Sequence, residues 1–107
     1  MSGFEDRKKG QEAKFAHDAE LSFKAEARRN KLLGLWAAEQ LGISGDEAQK
    51  YAAEVVAADF EEAGDEDVFR KVAGDFQAKN VAVTEAAIRA KMVELVQVAR
   101  DQLLSEG

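Results

Sequence analysis

Three stretches of the chain carry apolar residues at the three- and four-residue spacing that places them on one face of an α-helix. The spacing predicts helices over about 45–62, 66–79 and 85–105. Their apolar positions are Ala48, Tyr51, Ala52, Val55, Val56 and Ala58, then Val68, Phe69, Val72 and Phe76, then Ile88, Met92, Leu95, Val96, Ala99 and Leu103. Each stretch is therefore expected to bury one face against other helices.

Turn and capping residues separate the predicted helices at three places. Gly42 suits a left-handed helix end, and Ser44 with Glu47 forms a capping box for the second helix. The later boundaries repeat this pattern of a stop followed by a cap, with Gly64 and Asp65, then Asn80 and Thr84. Because short loops make neighbouring helices antiparallel, the predicted fold class is all-α, an antiparallel four-helix bundle with a mobile N-terminal arm.

The arm follows from the length of the first helical segment. Only Gly34 interrupts a helix over 11–41, which would extend about 46 Å, whereas the segment over 85–105 spans about 32 Å. Its densely apolar positions lie towards the C-terminal end, at Phe23, Leu32, Leu33, Leu35, Trp36, Ala37 and Leu41. We therefore expect residues 20–107 to form the bundle and residues 1–19 to form the arm, frayed or disordered when free.

The predicted arm keeps two aromatic residues, Phe4 and Phe15, among mixed charges. A segment that folds onto a partner uses such residues as anchors, whereas a tail that only contacts solvent has no need of them. On these features alone, a partner-binding arm and an inert tail remain equal alternatives.

Charge is divided unevenly along the chain. Residues 1–31 carry a net charge of +2 and residues 32–107 a net charge of −8, within a total of −6. This acidic balance argues against binding to nucleic acid or to anionic membranes. A small basic patch consists of Lys24, Arg28, Arg29 and Lys31. It lacks the interleaved aromatic residues of an RNA-binding surface.

The composition indicates no catalytic residue, metal site or cofactor. The chain has no Cys and a single histidine, His17, so thiolate ligands, cysteine nucleophiles and multi-histidine sites are excluded. The acid-rich run over 59–67 lacks the ligand spacing of a calcium loop, and we interpret it as a cap region between helices. No glycine pattern forms a phosphate-binding loop. An enzyme is therefore not expected.

The chain shows no targeting or membrane signal. Its apolar runs are much shorter than the roughly 20 residues that span a bilayer, and the first residues lack the apolar core of a signal peptide. We expect a cytoplasmic protein.

Several runs of the sequence resemble the zeta subunit of alpha-proteobacterial F-type ATP synthases. The similarity begins with EAKFAHDAE at 12–20 and FKAEARRNKLLGLWAAE at 23–39. It continues with ADFEEAG at 58–64, DVFRKV at 67–72 and IRAKM at 88–92. The similarity thus covers nearly the whole chain.

The resemblance implies an inhibitor of ATP hydrolysis. In that family a four-helix bundle carries a mobile N-terminal segment, which becomes helical as it inserts at an alpha/beta catalytic interface of the synthase head. There it blocks rotation in the hydrolysis direction. The implied partners are the alpha, beta and gamma subunits, and the implied location is cytoplasmic, peripheral to the inner membrane. The protein is expected to be a monomer when free.

By this resemblance, the inhibitory segment runs over about 4–18. The residues expected to contact the partner are Phe4, Glu5, Arg7, Lys8, Lys9, Glu12, Lys14, Phe15, His17 and Asp18. The aromatic residues would bury in the interface, while the charged ones would pair with groups of opposite charge. For His17, a solvated position at the root of the arm is favoured over a pH switch.

Two alternatives stay open. One is a structural or assembly subunit that binds the same complex without inhibiting it, and the other is a small helical ligand-binding protein. Some members of the family are linked to adenine nucleotide binding on the bundle, but no motif in this chain supports it.

Overall fold

The computed structural model describes the backbone of residues 3–59 and 65–106, and the side chains of residues 20–59 and 65–106. It contains four α-helices, namely α1 Gly3–Gln40, α2 Gly45–Ala58, α3 Glu66–Ala78 and α4 Glu85–Glu106. Strands do not occur in the described ranges. The predicted all-α fold is therefore confirmed.

Helix α1 begins at Gly3, eight residues before the predicted start at Gln11. Gly10 lies inside the helix, where glycine costs about 1 kcal/mol relative to alanine, too little to stop a helix that already extends from a folded bundle. With 38 residues, α1 is about 57 Å long, whereas the 22 residues of α4 span about 33 Å. The predicted difference in length is present, and fraying of the arm in the free protein stays a prediction.

Helices α4 and α2 both pack against α1 and run antiparallel to it. Along α4, Lys91 lies over the ring of Trp36, at 5.7 Å from its centroid, while Glu106 at the other end of α4 pairs with Arg28. Along α2, Gly34 faces Ala52, whereas the last turn of α2 lies beside the earlier residues of α1. Helix α1 is therefore the element on which the bundle is assembled.

Helix α3 runs antiparallel to α2 and completes the bundle. Tyr51 donates a hydrogen bond to Asp75 at 2.8 Å, and Lys71 pairs with Glu54 at 3.2 Å, one turn further along α2. Burial and the bond to Asp75 raise the pKa of the Tyr51 hydroxyl, so this group remains a donor.

The core lies between the four helices and uses most of the predicted apolar positions. Its buried members are Leu33, Ala37, Ala38, Tyr51, Val55, Val68, Phe69, Val72, Phe76, Ile88 and Met92. Trp36 is half-buried at its edge, with its ring at 5.7 Å from that of Phe76 and inclined by 66°. The expectation that Phe23 belongs to this apolar set is wrong, since its side chain is 68% exposed. Phe23 lies level with the last residues of α2, where little of that helix remains to cover it.

Two predicted helix ends are confirmed by their backbone geometry. Gly42 has φ +76°, and the next amide donates to Ala38 at 2.8 Å. Asn80 has φ +57°, and the next amide donates to Phe76 at 2.8 Å. In both places a left-handed residue returns the chain onto the helix that it ends. Thr84 caps α4 as predicted, because its hydroxyl accepts from the Ala87 amide at 3.1 Å.

The two other predicted caps differ from expectation. Ser44 and Asp65 precede α2 and α3, but neither side chain makes the capping hydrogen bond. The carboxylate of Asp65 instead accepts from Arg29, at 2.7 Å. Helix α2 ends at Ala58, four residues before its predicted end, and the predicted stop at Gly64 lies outside the described residues.

Two residues of the predicted basic patch, Arg28 and Arg29, bond other elements of the fold, whereas Lys24 pairs within α1 and Lys31 is exposed. Arg28 bonds Glu106, and Lys24 bonds Glu20 at 3.1 Å. Arg29 is only 2% exposed. None of the described helices is both long and apolar enough to cross a membrane.

Substitution of Gly34 is expected to test the close contact between α1 and α2. A Cβ atom at this position would lie 2.5 Å from the Ala52 Cα, so the two backbones would have to separate. We expect Gly34→Ala to lower the free energy of unfolding by about 1–3 kcal/mol in urea denaturation. Gly74→Ala is the matched control, because no atom lies within 4 Å of its added Cβ, and it is expected to stabilise α3 by about 0.5–1 kcal/mol. Stabilisation by both substitutions would contradict the contact.

Candidate partner-binding site

All ten residues predicted to contact a partner lie on α1, before its first described side chain. The structure carries their backbone as a helix, and their side chains lie outside the described residues. Their individual contacts therefore stay predictions. The register of the helix and the geometry of its described part still place the arm relative to the bundle.

The register of α1 aligns the arm with the buried side of the helix. At about 100° per residue, positions 4 and 15 differ by only about 20° around the axis. The same line reaches positions 29 and 33, where Arg29 and Leu33 are 2% and 0% exposed. The two aromatic positions thus continue the bundle-facing side of α1 beyond the bundle.

The support that the bundle gives to α1 ends near residue 21. Leu21 is the first buried residue among the described side chains, followed by Ala25. On the facing helix, the last residue of α4, Glu106, bonds Arg28 through two hydrogen bonds of 2.8 and 2.9 Å. These hydrogen bonds hold the pKa of Glu106 below its ordinary value. The last described residue of α4 thus pairs with α1 nine residues after the end of the predicted arm.

Three carboxylates meet at this end of the bundle and form what we term the carboxylate cluster, namely Glu26, Asp59 and Asp65. One oxygen atom from each lies within 4.8 Å of those of the other two. Arg29 is the nearest described cation, with Nη2 at 2.7 Å from Asp65 and 4.0 Å from Glu26. Its Nε donates to the Asn30 side-chain oxygen at 2.6 Å. Among the described residues, one guanidinium therefore pairs with two of the three carboxylates in the cluster.

The cluster changes the acidity of Glu26. Burial raises the pKa of Glu26, the neighbouring charge and hydrogen bond of Asp59 raise it further, and Arg29 only partly opposes them. A carboxyl that retains its proton can donate that proton to a carboxylate beside it. We term Glu26 and Asp59 the acid pair, and they lie where α1 packs against the end of α2.

Within the part of the chain that the structure describes, two buried polar atoms beside the acid pair have no hydrogen-bond partner. The Nδ2 of Asn30, a residue that is 1% exposed, and the Oδ1 of Asp59 are buried without a hydrogen bond. Both residues line one small opening, which we term the notch, and its remaining walls are Phe23, Glu26, Ala27 and Val56. Both residues therefore lie at the same opening, although these two atoms are themselves inaccessible to solvent.

The chemistry of the cluster does not favour a metal ion. Three carboxylates are a donor set for a divalent cation. However, Arg29 already bonds Asp65, and it also occupies the side-chain oxygen of Asn30. We assign no metal to it.

The sequence analysis missed this site. Asp59 and Asp65 belong to the acid-rich run over 59–67, which was interpreted as a cap region, and part of that interpretation is correct because Asp67 accepts from the Val68 amide at 2.8 Å. Glu26 lies more than 30 positions earlier in the chain. Only the antiparallel packing of α1 and α2 brings it to Asp59.

We expect Glu26→Gln to change how stability depends on pH. Because the pKa of Glu26 is raised in the folded state, folding favours the protonated form, and this contribution is lost as pH rises through the raised pKa. The variant should therefore gain free energy of unfolding relative to the unmodified protein as pH increases from the ordinary carboxyl range, near about pH 4, through the raised pKa of Glu26. Urea denaturation across this range measures the difference.

Glu39→Gln, at an exposed position on the far end of α1, is the matched control and should track the unmodified protein at every pH. If Glu26→Gln also tracks the unmodified protein, the pKa of Glu26 is not raised by folding.

Comparison with known proteins identifies the family. A profile of the family described as ATPase inhibitor subunit zeta matches residues 1–102. A solution NMR structure is 63% identical in sequence, with a TM-score of 0.73, and the alignment covers 81% of this chain and 99% of the other. No curated protein sequence gives a match. Since the profile spans the arm, the bundle and the carboxylate cluster, the chain belongs to the ATPase inhibitor subunit zeta family.

Proposed function

We propose that this protein inhibits ATP hydrolysis by an F-type ATP synthase, and that it does so by inserting residues 4–18 at an alpha/beta catalytic interface. The observation that carries the proposal is the continuation of α1 beyond the end of α4. The inhibitor family to which the chain belongs supports the same conclusion. The action is a mechanical block of rotation and involves no chemical step.

Because the arm continues an existing helix, the entropic cost of ordering it for insertion is reduced. Ordering a flexible chain costs about 1–2 kcal/mol per residue, so a segment already attached to a folded helix begins from a favourable position. Folding can propagate outward from Leu21 without a new nucleus, since the bundle supplies the first turns. Binding energy is then available for side-chain contacts.

The aromatic positions provide the proposed anchors. Phe4 and Phe15 lie on one side of the helix by register, and large aromatic residues dominate the energy of many interfaces. The charged residues between them set the register and the rate of encounter. These are the basic residues Arg7, Lys8, Lys9 and Lys14 and the acidic residues Glu5, Glu12 and Asp18.

The proposed assembly defines partners and location. The arm meets alpha and beta subunits at their interface and stops the rotation of gamma. Through the synthase, the protein sits on the cytoplasmic side of the inner membrane, at its periphery. His17, at the root of the arm, lies where the inserted helix leaves the interface.

Deletion of residues 1–18 tests the proposed function. The truncated protein should lose inhibition, because it lacks the inserted segment, while its bundle from Leu21 onward stays folded. The measurement is the rate of ATP hydrolysis by the cognate synthase head with each form, together with a thermal melt. Equal inhibition by both forms would reject the proposal. Co-purification of both forms with the head, with neither inhibiting it, would indicate a structural subunit instead.

Substitution of one aromatic anchor separates binding from folding. We expect Phe15→Ala to weaken inhibition by about 30-fold, the effect of losing a hot-spot side chain, with no change in the melting temperature. Phe76→Ala is the comparison, because Phe76 is 2% exposed in the core and its loss should cost about 3–5 kcal/mol of stability. A melt shifted equally by both changes would place position 15 in the core.

A further inference from the structure

Phe23 is the exposed aromatic residue of the described part of the bundle. Its side chain is 68% exposed. The other aromatic residues with described side chains are buried or half-buried, namely Trp36, Tyr51, Phe69 and Phe76. An exposed ring leaves apolar surface in water, and packing against another apolar group would remove that surface from water. Packing within the described fold therefore does not account for a phenylalanine at this position.

Two further apolar residues border Phe23. Ala27, one turn later on α1, and Val56, near the end of α2, line the same opening as Phe23. Ala27 is exposed and Val56 is half-buried. We term Phe23, Ala27 and Val56 the apolar shelf. Single exposed apolar residues are common on protein surfaces, whereas an apolar surface shared by two helices is more typical of a contact site.

The shelf lies on the side of α1 that α2 covers further along the helix. Gly34 faces Ala52 on that side. At about 100° per residue, positions 16, 19, 23, 27 and 34 fall within about 80° of one another around the helix axis. Helix α2 ends at Ala58, level with Phe23, and positions 16 and 19 are both alanine. The same side of α1 therefore stays apolar from the shelf into the arm.

We propose that the apolar shelf is a second contact surface for the synthase head, on which an apolar side chain of the head packs against the ring of Phe23. This inference rests on the proposed function, because it takes the head as the partner. Contact with the head then continues along α1 beyond the inhibitory segment, as far as Ala27. Phe23 acts there as a third aromatic anchor, after Phe4 and Phe15 in the arm.

Continuity along the helix supports this choice of partner. Phe23 lies five residues after Asp18, which corresponds to about 7.5 Å along the axis. The backbone between these two positions is uninterrupted helix. A partner that encloses the arm up to position 18 therefore reaches the shelf without any change in the bundle.

The surroundings of the shelf favour an apolar occupant over a charged one. The Nδ2 of Asn30 and the Oδ1 of Asp59 lie behind it and are inaccessible to solvent, so a partner meets the ring and methyl groups. Beside Phe23 on α1, the exposed side chains of Lys24 and Glu20 pair with each other at 3.1 Å. An apolar centre with a polar rim is the usual arrangement of a protein interface.

The experiment measures the affinity of full-length variants for the cognate synthase head. We expect Phe23→Ala to weaken binding about tenfold, the effect of losing an aromatic anchor. Phe23→Leu should stay within about threefold of the unmodified protein, because it keeps an apolar side chain on the shelf. Ala27→Gln should weaken binding about threefold, since a larger polar group then covers the shelf.

Exposed residues of α4 provide the matched controls. Val93 is 74% exposed and lies two residues from Lys91, which contacts Trp36 in the C-terminal half of α1. Val93→Ala and Ala90→Gln, the latter at another exposed position, should each change affinity less than twofold. A thermal melt of every variant accompanies the binding measurement. We expect melting temperatures close to that of the unmodified protein, because all four substituted side chains are exposed.

The outcomes separate the shelf from the proposed function. Weaker binding of Phe23→Ala and Ala27→Gln, with normal melts and unaffected controls, supports the shelf. If Phe23→Ala binds like the unmodified protein while deletion of residues 1–18 abolishes inhibition, the shelf is rejected and the inhibitory arm stands. A lowered melting temperature of Phe23→Ala with unchanged affinity assigns the ring to the fold and also rejects the shelf, as does equal weakening by Val93→Ala. Unchanged inhibition after the deletion overturns the proposed function and, with it, the continuation of the contact onto the shelf.

Discussion

A helix can be buried only as far along its length as its neighbours extend, and this constraint governs the molecule. Helix α1 has 38 residues, whereas α2, α3 and α4 have 14, 13 and 22. No arrangement of the shorter helices along α1 covers all of it, since α2 and α4 are both fixed to its C-terminal half by Gly34 and Trp36. The N-terminal part of α1 is consequently available for a contact outside the bundle.

The interactions that hold α1 change in kind along its length. Around Leu33 and Ala37 the helix is held by apolar packing, and there a glycine allows direct contact with α2. Nearer the arm, polar contacts replace it, as Arg28 reaches the end of α4 and the buried Arg29 reaches Asp65. A buried guanidinium is costly to desolvate and is kept only when its partners are well placed. These ion pairs therefore fix the register of α1 rather than add greatly to stability.

Local signals in the sequence were sufficient for most of the fold. Gly42 and Asn80 ended their helices as predicted, because a left-handed residue in a short loop has a local cause, and Thr84 capped α4 for the same reason. The failures involved residues whose environment is set by distant parts of the chain. Asp65 did not cap α3 because Arg29 binds its carboxylate, and Phe23 was left exposed because α2 ends beside it.

The candidate site likewise has one part that local sequence signals indicate and one part that depends on distant residues. The arm could be predicted because helix length and aromatic positions are properties of one segment of the sequence. The acid pair could not, since Glu26 acquires its raised pKa only when α1 packs against the end of α2.

Packing also makes the root of the arm the place where the fold and the proposed inhibitory segment meet. A substitution at Leu33 acts on the fold, and in the proposed function one at Phe15 acts on a partner, whereas a change at Glu26 alters the contact between two helices close to where that segment begins. Because burial and the charge of Asp59 raise the pKa of Glu26, the stability of this contact depends on pH. A pH dependence at the root of the arm thus follows from the position of Glu26, without requiring a titrating histidine in the arm.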